Sequence, residues 1–121
     1  MKNTHIFGQK AEDLAVEYLD SQKIKVVGRN FRTRFGEIDI IAKDDKEMIF
    51  VEVKAKSSSR FGRPYEMVTE RKKKKLISTA KSYLLENSFD INKTNWRIDV
   101  ISIEYETMKV EWIKSAVEEQ T

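Results

Sequence analysis

The sequence predicts an α/β domain in which a mixed sheet is flanked by two helices. Three observations point there. Apolar residues recur at helical spacing in two separate stretches, Ala11-Leu14-Ala15-Tyr18-Leu19 and Leu76-Ile77-Ala80-Tyr83-Leu84. Around and between them, β-branched runs are separated by short polar breaks. The resulting order is helix, three strands, helix, two strands, with no internal repeat and no low-complexity segment. At 121 residues the chain reads as one domain, 1–121. A chain of this length buries roughly two-thirds of its unfolded surface, enough for one modest core.

The first helix is expected from Thr4 to Ser21, with Thr4 as its N-cap. Glu12 flanks its apolar stripe, and His5, the single histidine, lies in its first turn. The segment Ile24 to Thr33 reads as a strand in which Gly28 marks a bulge or a close approach. Phe31 and Phe35 are expected in the core beside an edge of Arg29, Arg32 and Arg34. Gly36 to Lys56 holds two strands joined at Asp44-Asp45-Lys46-Glu47. Ser57 to Tyr65, with the only proline, is a loop that leaves the second of these strands directly. A second helix follows from Thr69 to about Glu86. The polar stretch Asn87 to Asn95 is a loop, and Trp96–Glu104 and Lys109–Ile113 form a last strand pair turning at Tyr105 to Met108. Val117 to Thr121 is expected to fray.

The chemistry concentrates in the central hairpin. If its loop is the four polar residues, Lys43 faces Met48 and Ala42 faces Ile49. Carried back, that register sets Asp39 opposite Glu52 and Glu37 opposite Lys54. Alternation then gives Glu37, Asp39 and Ile41 one face, shared with Phe50, Glu52 and Lys54. Ile38, Ile40, Val51 and Val53 take the other. Carboxylates directly opposite on neighbouring strands sit roughly 5 Å apart at Cβ and repel. A divalent cation between them removes the penalty, because Mg²⁺ and similar hard ions take one or two carboxylates together with water and phosphate oxygens. Lys54 would bring an ammonium to the same place, to orient a water or to stabilise charge developing on a phosphate. The structural alternative is an ordinary solvated strand face carrying Glu-x-Lys.

A second signal is basic. Arg71-Lys72-Lys73-Lys74-Lys75 opens the second helix, where the macrodipole disfavours cations. From Lys54 to Lys75 there are nine Lys or Arg residues against two acids, Glu66 and Glu70. A phosphate backbone would supply the matching charge; a solubilising face is the alternative. Charged residues make up 36% of the chain, above the roughly 25% of average domains. The net charge is only +3, so the distribution carries the argument. No cysteine is present, which excludes a disulfide framework and a thiolate metal site. No apolar run is long enough for a membrane span, and the N-terminus has no apolar signal-like core. A cytoplasmic protein with no membrane partner is expected.

Asp39, twelve residues, then Glu52-Val53-Lys54 resembles the signature of the PD-(D/E)xK nuclease superfamily. More closely the chain resembles the YraN family of small bacterial proteins, related to archaeal Holliday-junction resolvases. The matching pieces are Gly8-x3-Glu12 with Ala15 and Tyr18-Leu19, Arg29-Asn30, Gly36 to Ala42, Phe50 to Lys54, and Arg97 to Ile101. They span residues 8 to 103 in the expected order; no Pro precedes Asp39, a departure common in that superfamily. The resemblance implies a restriction-endonuclease-like mixed sheet flanked by helices and a metal-dependent endonuclease acting on DNA. Its substrates would be branched or recombination and repair intermediates.

In that reading Asp39 and Glu52 hold Mg²⁺ or Mn²⁺, Glu12 is a possible third ligand, and Lys54 is catalytic. Glu37 ligates through water or holds Lys54. Arg29, Lys56, Arg60, Arg63 and Arg71, Lys72, Lys73, Lys74 and Lys75 contact nucleic acid, DNA before RNA. A homodimer is implied by the resolvases. Asp99 is assigned an ion-pairing or structural role, and Trp112 a core or interface role. Two other readings stand beside it: a catalytically silent nucleic-acid-binding module that docks to a DNA-processing partner, and a purely structural interaction protein.

Overall fold

A computed structural model describes residues 2–56 and 68–118, with residues 2–7 described by their backbone. The elements run α1 (Lys2–Ser21), β1 (Lys25–Thr33), β2 (Gly36–Lys43), β3 (Met48–Lys56), α2 (Glu70–Glu86), β4 (Trp96–Glu104) and β5 (Lys109–Val117). The five strands form one sheet in chain order, β1-β2-β3-β4-β5. Every neighbouring pair is antiparallel except β3 and β4. Parallel neighbours cannot be joined by a tight turn, and α2 lies in the crossover between them. This is the mixed sheet flanked by helices that the sequence predicts.

Each helix covers one face. Ala11, Ala15 and Leu19 of α1 pack on Ile40, Ala42, Ile49, Val51, Ile101 and Ile103. The two alanines let the helix sit close to the sheet. Leu76, Ala80 and Leu84 of α2 pack on the opposite face, over Ile38, Ile41, Phe50, Ile98 and Val100. With both faces buried, the central strands read as near-continuous apolar runs. Each fully buried Leu, Ile or Phe contributes about 1.5–3 kcal/mol. Phe31 packs against this core as expected, but Phe35 is 39% exposed beneath the Arg34 guanidinium, because it sits in the turn beyond β1.

Local chemistry sets the ends of the elements. Asp44 accepts from the backbone N–H groups of Lys46 and Glu47, both at 2.8 Å, and closes the β2–β3 hairpin. This fixes Lys43 opposite Met48 and Ala42 opposite Ile49, the register read from the sequence. Thr69 caps α2 by accepting from Lys72 N, an interaction worth about 1 kcal/mol. Thr4 does not cap α1, which begins at Lys2.

β5 extends four residues beyond the expected Ile113, and Val117 is buried rather than frayed. The reason is Asp99. Its fully buried carboxylate accepts from Arg97 Nε at 3.0 and 3.1 Å, from Trp112 Nε1 at 2.8 Å and from Ser115 N at 2.8 Å. Arg97 continues to Glu47. Ser115 has φ +51°, and the β4–β5 register shifts between Ile98 and Val100. Asp99 thus ties down a bulge that looks like a strand end in the sequence, and Val117 then reaches Ile98. The assigned ion-pairing role stands. Asp99→Ala should cost about 3–5 kcal/mol by leaving Arg97 and the indole N–H without their buried partner. Urea denaturation checks this; a loss below about 1 kcal/mol would contradict it.

Candidate active site

The carboxylates of the central hairpin meet where the sheet comes apart. The β2–β3 ladder runs from Lys43–Met48 to Ile40–Val51. One pair further, Asp39 does not continue it: its Oδ2 accepts from Val53 N at 2.8 Å, so a side chain takes the place of a ladder bond. On the other side of β2, Asn30 lies between the pairs Arg29–Ile40 and Phe31–Ile38 and has φ +53°. Asparagine tolerates this left-handed backbone better than most residues. The pleat changes face there. Ile40 belongs to the core under α1, but Ile38 belongs with Ile41 to the core under α2. The expected common face of Glu37, Asp39 and Ile41, with Ile38 opposite, is therefore corrected: regular alternation stops at Asp39.

Asp39 and Glu52 nevertheless come within hydrogen-bonding reach of each other. Burial first, then the hydrogen bond and charge of Glu52, push the Asp39 carboxyl from 3.8 up to about 9. The Val53 amide opposes the shift, and the Glu12 charge adds to it. Like charges this close cannot both ionise, so Asp39 holds a proton across the neutral range. Glu52 is 5% exposed, and its Oε2 is buried without a hydrogen bond among the described residues. Lys72 Nζ lies 3.0 Å from that oxygen. It supplies charge at ion-pair distance but not the angles of a hydrogen bond.

Two ammonium groups adjoin the carboxylates. Burial, and the contact with Lys72, hold Lys54 below the ordinary lysine value. For Lys72 burial also works downward, but its contacts with Lys54 and Glu52 outweigh it and raise the group. Lys72 is thus part of the acidic centre, not only of a basic surface. Composition could not single it out of Arg71 to Lys75, and helix phase narrows the run only to Lys72 and Lys73, which both flank the buried Leu76.

The remaining candidates separate. Glu37 does not hold Lys54: its Oε2 accepts from Arg32 Nε at 3.2 Å and its Oε1 from Asn30 Nδ2 at 3.0 Å. The ladder stops before those two residues could pair across it. Asn30 also donates to Glu12 Oε1 at 3.0 Å and so ties the two glutamates together. Arg29 is engaged by Asp13 at 2.7 Å and Glu12 at 3.7 Å. Glu12 acts on Asp39 through its charge but joins no ligand cluster, for among the described residues no three His, Cys, Asp or Glu side chains could share one ion. Asp39 and Glu52 are the carboxyl groups that could hold a hard cation, with Glu52 Oε2 now at ion-pair distance from Lys72. Lys56 lines a small cleft with Ser102, Glu104, Lys109 and Glu111. Arg60, Arg63 and the loop Ser57 to Tyr65 lie outside the described residues, as does the His5 side chain. The buried Ser102 hydroxyl, beside Lys54 in the β3–β4 register and without a hydrogen bond among the described residues, carries no sequence signal.

The basic run divides between two faces of α2. Arg71, Lys72 and Lys75 line a groove of about 490 Å³ with Gly36, Glu37, Thr69 and Leu76. Lys73 and Lys74 turn away, toward Glu70, Lys81 and Glu118, and Lys73 pairs with Glu70 at 3.1 Å.

Fold and site together define an α/β domain with a paired-carboxylate centre at the splayed end of a mixed sheet. The chain belongs to the family described as "Uncharacterised protein family UPF0102", which matches residues 11–103. A UPF0102 protein of Aliivibrio fischeri is 36% identical over 118 residues, covering 98% of this chain and 96% of its own. One from Persephonella marina is 47% identical over 98 residues, covering 81% and 83%. One from Clostridioides difficile is 46% identical over 96 residues, covering 79% and 82%. Among the described residues, no helix is long and apolar enough to cross a membrane.

Folding raises the Asp39 value from 3.8 to about 9, so its contribution to stability is complete below pH 3.8 and is lost as pH climbs through 9. Wild-type protein should therefore melt at progressively lower temperature across that window. Asp39→Asn, which cannot ionise, should flatten the decline and melt higher than wild type at pH 9. Thermal melts read by circular dichroism test this; parallel curves for the two proteins would contradict it.

Proposed function

We propose that the protein is a metal-dependent endonuclease that hydrolyses DNA phosphodiester bonds. The observation that carries this reading is the Asp39–Glu52 pair: two carboxyl groups held in contact, one with a buried oxygen that among the described residues meets the Lys72 ammonium but no directed hydrogen bond, beside the Lys54 ammonium. Two buried carboxyl groups in contact cannot both ionise without cost to the fold, and a cation between them would turn that cost into binding.

Asp39 and Glu52 would hold Mg²⁺ or Mn²⁺. When bound, such an ion polarises a phosphoryl oxygen and makes water more acidic. Lys54, already held below the ordinary lysine value, is suited to take a proton from the attacking water. In its charged form it stabilises the extra negative charge on phosphorus in the transition state. Asn30 fixes Glu37 and Glu12 at the rim, so neither swings into the carboxylate pair. Arg71 and Lys75 line the groove that would carry the strand, bound through its phosphates and so without a base code. Branched DNA as substrate, and a homodimer to act on it, follow from the resolvase resemblance.

One observation favours a second reading, a silent nucleic-acid-binding module that docks to a processing partner: among the described residues the site has two convergent carboxylates and not three. Cleavage separates the two. With Mn²⁺ or Mg²⁺, wild type should cut at least one of single-stranded, duplex, flap or four-way-junction DNA. Asp39→Ala and Lys54→Ala should each lose about 100-fold or more. Salt-dependent binding with no cutting of any of the four substrates would instead support the silent module. In either reading, Arg71→Gln and Lys75→Gln should each lower the salt slope of DNA binding by about one, measured by fluorescence anisotropy; unchanged slopes would remove the groove from the interface.

A further inference from the structure

Lys72 belongs to two places at once. Its Nζ is 3.0 Å from the buried Glu52 Oε2, and the same side chain lines the groove with Arg71 and Lys75. Its side chain is 43% exposed, against 7% for Glu52, so the lysine has open solvent beside it and the glutamate does not. It also touches Lys54, an ammonium of the same sign. A divalent cation between Asp39 and Glu52 would add two positive charges where two ammonium groups are already in contact. Lys54 is fixed on β3 and half-buried. Lys72 stands in the first turn of α2, with the groove beside it.

We propose that Lys72 and a divalent cation compete for Glu52 Oε2, and that a strand phosphate in the groove resolves the competition by drawing the Lys72 ammonium to itself. Cation and strand then assist each other's binding through one side chain. This coupling is reciprocal: the strand tightens the cation by the factor by which the cation tightens the strand. It also identifies which cations of the basic run serve the site. Arg71, Lys72 and Lys75 hold the phosphate, while Lys73 and Lys74 face away with Glu70 and Glu118. The inference rests on the cation reading of the Asp39–Glu52 pair.

The test is a Mn²⁺ titration, followed by the electron paramagnetic resonance signal of the free ion, on wild type, Lys72→Gln and Lys93→Gln. Lys93 lies exposed between α2 and β4. Removing the competing charge should tighten Mn²⁺ about fivefold in Lys72→Gln and leave Lys93→Gln at the wild-type value. Adding a saturating single-stranded phosphorothioate oligonucleotide should tighten Mn²⁺ in wild type and have much less effect in Lys72→Gln. Equal or weaker Mn²⁺ binding by Lys72→Gln, with wild type binding the ion, would overturn the competition and leave the cation site standing. No Mn²⁺ binding by any of the three would overturn the cation reading, and this inference with it.

Discussion

Everything at the candidate site depends on a failed strand pairing. The β2–β3 ladder ends at Ile40–Val51, and the carboxyl oxygen of Asp39, not its backbone, accepts the next bond, from Val53 N–H on β3. That substitution brings Asp39 against Glu52 in a half-dry corner. The protein meets the repulsion with a proton on Asp39, an amide from Val53 and the ammonium of Lys72. None of these leaves Glu52 Oε2 hydrogen-bonded within the described residues.

Two buried acids of one sheet show the contrast between structure and chemistry. Asp99 is wholly buried and wholly satisfied, by a guanidinium, an indole and a backbone amide. It fixes a bulge. Glu52, almost as buried, has charge beside it without a directed donor. Buried polar groups are nearly always hydrogen-bonded, and among the described residues Glu52 Oε2 has an ion-pair partner in Lys72 in place of a directed donor. The cores beneath α1 and α2 fix both faces of the sheet, and α2 adds Lys72 over Glu52.

Much of this was legible in the sequence, for local reasons. Asp44 sets the hairpin, the hairpin sets the register, and the register runs to Ile40–Val51, one position before Asp39 and Glu52. The two apolar stripes place both helices, and the family resemblance agrees with the UPF0102 match. What was not legible depends on distant contacts. The change of face at Asp39 follows from Asn30 adopting φ +53° and from Phe31 and Ile38 packing beneath α2. Pattern alone reads Glu37 as a partner of Lys54; the turn to Arg32 and Asn30 is a consequence of that change. β5 continues past Ile113 because Asp99, sixteen residues away in sequence, holds Ser115. In a run of five cations neither composition nor the phase of α2 distinguishes Lys72 from Lys73, which both flank the buried stripe; the contact with Glu52 does.

The claim at the centre is that Asp39 and Glu52 act as one unit, sharing a proton that a hard cation replaces. Carbon-13 NMR of the side-chain carboxyl groups, titrated with and without Mg²⁺, tests it most directly. Asp39 should keep its proton to about pH 9, Mg²⁺ should remove this titration and shift both Asp39 and Glu52, and Asp99 should not respond to the ion. An Asp39 that titrates near its ordinary 3.8, with neither carboxyl sensitive to Mg²⁺, would contradict it.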